Sequence, residues 1–173
     1  MADVDNALFE GLFVRALAVS GPLADELAAL GYDLKRPQPR YPASVLVACL
    51  GAAHRGLAPE LEEGEALRQF GTRFVEGFRQ TILGRVATTA LPILGPARFL
   101  QKLPGRFRSI RHDASVTVEA TGAHSARLVF NDPVPLGAFF AGVVESALRL
   151  SGAASPKVEV TSSATGYSFV ATW

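Results

Sequence analysis

The chain has 173 residues, 49% of them hydrophobic, and 17 basic against 16 acidic side chains give a net charge of +1. A chain of this size buries roughly 70% of its unfolded surface, which excludes disorder and removes any need for a disulfide or structural metal. The balanced charge excludes a global field that would drive the molecule onto nucleic acid or membrane, and leaves only local patches to read.

The opening Met-Ala-Asp-Val-Asp lacks the basic-then-apolar order of a secretory signal, and no apolar run approaches the ~18 residues of a membrane span. The one cysteine, Cys49, can build neither an intramolecular disulfide nor a thiolate cluster, which points to a reducing compartment. The expectation is a cytoplasmic protein of one domain over 1–173, helical in 1–112 and β-rich in 113–173.

Leu8–Val19 reads as a strand or a short helix, closed by Ser20-Gly21-Pro22. From Pro22, Leu23, Leu27 and Leu30 recur at helical spacing up to Gly31. Lys35–Pro42 holds three prolines and predicts an irregular connector, and Ala43–His54 predicts a second helix. A third helix starts among Glu60, Glu62, Glu63 and Glu65, where carboxylates favour the positive end of the helix dipole. Its apolar stripe runs without a break through Leu67, Phe70, Phe74, Phe78, Ile82 and Val86, and Pro92 and Gly95-Pro96 close it. Ala97–Leu103 predicts a short helix ended by Pro104-Gly105.

Beyond that point the period changes from helical to two. Val116, Val118 and Ala120 alternate with polar neighbours, as do Ala126, Leu128 and Phe130 after the turn Thr121–His124. Leu136, Phe139, Phe140, Val143, Ala147 and Leu150 form another helical stripe, with Glu145 and Arg149 as an i,i+4 pair on its outer face. Lys157–Thr161 and Tyr167–Trp173 predict a second hairpin. The fold class is therefore α+β, with N-terminal helices packed on a C-terminal β-β-α-β-β antiparallel unit.

Several motifs carry a resemblance. Leu8-Phe9-Glu10-Gly11-Leu12-Phe13, Tyr41-Pro42, Phe107-Arg108, Phe140-Ala141-Gly142-x-x-Glu145 and the closing Trp173 accompany its most specific stretch, Ala66–Arg85. Together they resemble an uncharacterised paralogous family found in many copies in myxobacteria, over nearly the whole chain. That family is similar to a superfamily of 4-vinyl-reductase-type ligand-binding domains, haem-NO-binding sensors and TRAPP tethering subunits, which implies the same β-β-α-β-β core. The haem-NO-binding resemblance would imply an axial histidine and a Tyr-x-Ser-x-Arg clamp. Here His54, His112 and His124 read as surface residues, and Tyr167-Ser168-Phe169 lacks the clamp spacing, so no haem or other cofactor is expected. The cysteine-rich metal site of the 4-vinyl-reductase type fails as well, since Ser146–Trp173 holds no Cys or His.

Gly-x-Ser-x-Gly and phosphate-loop spacings are absent, so no catalytic set is assigned and the chain is read as non-enzymatic. Cys49, between Val47 and Leu50, reads as a small buried thiol. Arg98, Lys102, Arg106, Arg108 and Arg111 form the one basic patch, read as a solvated connector pairing with the acidic start of the third helix. An anionic partner stays open there, and nucleic acid is disfavoured. Arg73 and Glu76 stand at ion-pair spacing.

The expected function is a sensory or regulatory module that binds a small hydrophobic ligand between the helical half and the sheet. The pocket candidates are Phe70, Arg73, Phe74, Glu76, Phe78, Gln80, Phe139, Phe140 and Gly142, where large rings lie beside small residues. The alternative is a TRAPP-like adaptor without a ligand, engaging a protein partner or a second copy of itself.

Overall fold

The computed structural model describes residues 3–173. A short strand β1 (Asp3–Asp5) pairs antiparallel with β2 (Arg40–Pro42) and leads into helix α1 (Asn6–Phe9), which Asp5 caps by accepting from the Ala7 amide at 2.8 Å. The helix widens into a π-helical stretch, Glu10–Ala16. Leu8, Phe9, Leu12 and Phe13 are buried, so the ambiguous N-terminal segment is helical. Helices α2 (Gly21–Ala29) and α3 (Ala43–Leu57) follow, and α4 (Glu63–Phe78) lies at the centre. The end of the proline-rich connector is thus a strand, not irregular chain.

Helix α4 is held on two sides by glycines. A Cβ on Gly71 would lie 1.9 Å from the Phe139 carbonyl oxygen, and one on Gly142 would lie 2.0 Å from that of Arg68. On the other side, a Cβ on Gly77 would lie 2.0 Å from the Gly11 carbonyl oxygen. Glycine inside a helix costs about 1 kcal/mol against alanine, and here it lets three helical segments cross at backbone contact. The motif glycines are packing devices.

The apolar stripe ends where α4 ends. The Thr81 hydroxyl donates to the Phe78 carbonyl at 2.8 Å and accepts from the Gly84 amide at 2.9 Å, capping a new helix, α5 (Ile82–Thr88). The axis restarts, and Ile82 and Val86 are left 84% and 76% exposed. This corrects the expectation of one unbroken buried stripe. Helices α6 (Leu91–Leu94) and α7 (Pro96–Ile110) follow, and α7 continues past Pro104, where a break was expected. Phe99, Leu100 and Phe107 form its buried face beyond the missing proline N–H.

The C-terminal half matches the expected order: β3 (Ser115–Gly122), β4 (Ser125–Asn131), α8 (Gly137–Leu150), β5 (Lys157–Ser163) and β6 (Gly166–Thr172). The strands form an antiparallel sheet in the order β3-β4-β6-β5. Register places Leu128 opposite Phe169 and Phe130 opposite Tyr167, all buried on one face. Helices α8 and α7 pack on the sheet, and α8 meets α4 across the Gly71–Gly142 crossing. The α+β class stands.

Candidate functional site

The expected pocket residues fall into two sets. Phe70, Phe74, Phe78, Phe139 and Phe140 are all buried, and the rings of the last four interlock. Phe74 lies 5.1 Å from Phe78 and 5.7 Å from Phe139, and Phe107 lies 5.2 Å from both Phe130 and Phe140, centroid to centroid. Gly142 is spent on the crossing with α4. Arg73 and Glu76 are exposed on the opposite side of the helix, and Gln80 is exposed in the turn after it. Arg73 donates to the Ala16 carbonyl at 3.1 Å, and Glu76 pairs with Arg79 at 3.1 Å, so the expected Arg73–Glu76 pair does not form. These residues line none of the principal clefts among the described residues. Between α4 and α8 the rings of Phe74, Phe78, Phe139 and Phe140 pack against one another.

Open volume lies elsewhere. A cleft of about 320 Å³ opens where α3, the start of α4, the 131–138 segment and the β5–β6 hairpin converge. Val47, Leu50, Leu67, Val134 and Leu136 supply its apolar lining, and Asp132, Ser162, Ser163 and Tyr167 supply polar groups. Helix α8 starts at this cleft with no side-chain cap, so its first-turn N–H groups have no side-chain acceptor. A shallower groove of about 560 Å³ adjoins it, sharing Val47 and the 133–135 segment.

One lining residue, Asp132, belongs to a buried ion pair behind the wall. Arg111 and Asp132 are both fully buried, and Arg111 donates Nη1 and Nη2 to the two Asp132 oxygens at 2.8 and 2.9 Å. Tyr167 donates its hydroxyl to Asp132 at 3.2 Å, and the Val134 amide donates to it at 3.0 Å. Burial first, and then the neighbouring Asp132 carboxylate, push the Tyr167 phenol above its ordinary range. Arg111 also bridges Val4 through its backbone, so the network ties β1, the end of α7, β4 and β6 together.

Arg111 therefore leaves the expected solvated patch. Arg98, Lys102 and Arg108 are exposed, and Arg106 is half-buried with its guanidinium donating to the Ala87 carbonyl. None of them pairs with the acidic start of α4. Arg68 does bridge helices, pairing with Glu145 of α8 at 2.8 Å, while Glu145 also takes the expected Arg149 partner at 3.0 Å. Asp132 and Tyr167 escaped the sequence reading because Asn131-Asp132-Pro133 looks like an ordinary chain break.

This architecture is the H-NOX fold. The chain is similar to a structure solved in work on modulating haem redox potential through protein-induced porphyrin distortion, with TM-score 0.73 and 10% identity over 98% of this chain and 99% of that one. It is also similar to the Fe(II) unliganded H-NOX protein from K. algicida, with TM-score 0.67 and 14% identity over 96% and 94% of the two chains. An oxygen-binding H-NOX domain related to soluble guanylate cyclases gives TM-score 0.69 and 11% identity over 96% and 89%. Likeness at this identity establishes the fold alone. The chain itself belongs to the DUF2378 family, described as protein of unknown function, whose model matches residues 3–173. No curated protein matches it.

The residues present do not fit a haem. His54 is half-buried with Nε2 2.8 Å from the Leu61 carbonyl, a contact that joins α3 to the connector before α4. His112 and His124 are exposed beside and within turns, and no histidine lines any of the five clefts. Cys49 is fully buried, and burial pushes its thiol up to about 12, so no thiolate is available at neutral pH. Among the described residues no cluster of three or more His, Cys, Asp or Glu could hold a metal. No helix among them is long and apolar enough to cross a membrane.

Proposed function

We propose that the chain is a non-enzymatic regulatory module that uses an H-NOX-type fold without haem and takes a small amphipathic ligand in the cleft between α3, α4, α8 and the β5–β6 hairpin. The observation that carries this reading is the cleft's position. Its 320 Å³ falls at the small end of the roughly 300–1,000 Å³ range of ligand sites. Its walls come from both the helical and the β-rich parts, and the Arg111–Asp132–Tyr167 network backs it. A ligand there would touch both parts of the fold at once, with its apolar body against Leu50 and Leu67. Its polar end would meet Ser162 and the uncapped start of α8.

Ala138 is half-buried on the cleft wall, so Ala138→Trp fills the site from a position with room to accept it. Native mass spectrometry of the purified protein is expected to show a retained small molecule that this variant loses. Binding of the fluorescent probe 1-anilinonaphthalene-8-sulfonate is expected to fall in parallel. No retained mass, together with equal probe binding by the two proteins, would refute the cleft as a ligand site.

A further inference from the structure

Between Glu76 and Asp113 the chain carries arginines and a lysine but no acid, while the whole chain is only +1. The rest of the molecule is therefore net acidic, and the positive charge is concentrated on the α5–α7 region. On this region three aliphatic side chains stand almost clear of the protein: Ile82 is 84% exposed, Val86 76% and Ile93 87%. Exposed apolar residues scattered singly need no explanation, but three this prominent within one short segment do.

Exposed cations belong to the same region. Arg106 reaches from α7 to the Ala87 carbonyl of α5, a single hydrogen bond that links the two helices. On α7, Arg98 and Lys102 share the Arg106 side of the helix at four-residue spacing, and both are exposed. Arg85 lies one position before Val86 on α5 and is exposed as well. Among the described residues none of Arg85, Arg98 and Lys102 makes an ion pair.

We infer that this face docks onto an anionic lipid bilayer, with Ile82, Val86 and Ile93 entering the headgroup–acyl boundary and Arg85, Arg98 and Lys102 pairing with lipid phosphates. Apolar insertion and attraction to anionic lipid add in this kind of binding. The alternatives fit less well. Single-stranded nucleic acid wants exposed rings, and the aromatics of this region, Phe99 and Phe107, are buried in the core. A two-fold contact between copies would set one cationic rim against another. A folded partner would need a pocket for each protruding side chain, whereas a bilayer receives them without a preformed shape.

The test is co-sedimentation of the full chain with vesicles of equal parts phosphatidylglycerol and phosphatidylcholine, and with phosphatidylcholine vesicles alone. Binding to the anionic vesicles only, weakened by salt, is expected. Arg98→Gln and Lys102→Gln should each weaken it roughly fivefold. The triple variant Ile82→Ser, Val86→Ser, Ile93→Ser should weaken it by about tenfold or more. Arg36→Gln, which removes an exposed charge elsewhere, should leave it unchanged. Every substituted site is exposed, and circular dichroism checks that each variant is folded. The inference is overturned by equal affinity for both vesicles, by no binding to either, or by a triple variant that binds like the parent. It is also overturned by light scattering that shows a dimer which the triple variant dissolves.

Discussion

Removing the carboxylate of Asp132 tests the polar wall of the cleft most directly. Asp132 accepts four hydrogen bonds: two from Arg111, one from the Tyr167 hydroxyl and one from the Val134 amide. Asp132→Ala removes the acceptor of all four donors at once, and the fully buried guanidinium keeps only Asp113, at 3.4 Å and partly exposed. Stripping one partner from a buried ion pair costs roughly 3–5 kcal/mol, because the remaining charge has neither water nor counter-ion. In a domain of this size that is a drop in Tm of roughly 6–20 °C. Urea unfolding followed by far-UV circular dichroism measures the loss, and a matched pair separates charge from packing. Replacing both ions, as Arg111→Met with Asp132→Leu, removes the unpaired charge and is expected to recover most of the stability. A loss below about 1 kcal/mol in Asp132→Ala would refute the reasoning, since the pair would then be wet. A double variant no more stable than the single would refute it too.

Gly71→Ala is expected to destabilise by about 1–3 kcal/mol despite alanine's better helix propensity, because the new methyl must displace the Phe139 carbonyl; a gain in urea midpoint would refute the close crossing. Phe74→Ala should cost roughly 3–5 kcal/mol, whereas Ile82→Ala should stay within about 0.5 kcal/mol, and comparable losses at both would restore the single continuous stripe. Cys49 and Tyr167 both have folded values raised above their ordinary ones, so each stabilises fully at neutral pH. That stability drains once the unfolded thiol and phenol begin to ionise. The urea midpoint is expected to hold from pH 6 to about 8 and to fall above roughly pH 8.5–10; a flat profile to pH 11 would contradict it.

Much of the architecture is legible because its signals are local. Alternation in Val116–Ala120 and Ala126–Phe130 needs only one buried face, and the sheet provides it. The Leu67–Phe78 stripe is equally plain. Its continuation misleads because Ile82 and Val86 keep the spacing while Thr81 resets the helix axis, and only the cap geometry distinguishes the two cases. The N-terminal segment shows no clear period because residues all around it are buried, among them Leu8, Phe9, Gly11 and Leu12. Arg111 sits in a basic run and reads as solvated, since its partner lies 21 residues further on. The cleft draws its lining from four separated segments, so no spacing in the sequence announces it. The phenylalanines that do announce themselves are the core.

The arrangement of α4 joins the two surfaces by a single rod. Glu63, Gly64 and Leu67 at its start line the cleft, and Phe78 at its end is bonded through Thr81 to α5, which carries Ile82 and Val86. The helix has 16 residues, so the two ends are about 24 Å apart. Between them, the crossings at Gly71 and Gly77 leave no slack for bending. A displacement imposed at the cleft would then move α4 as a unit against the N-terminal helix and α8, and the Thr81 junction would receive it. Filling the cleft with Ala138→Trp is expected to change amide hydrogen exchange in residues 79–90 while leaving β3 and β4 as they were. Exchange unchanged at 79–90, in a variant whose cleft is demonstrably filled, would mean that the two ends act independently and that α4 is scaffold alone.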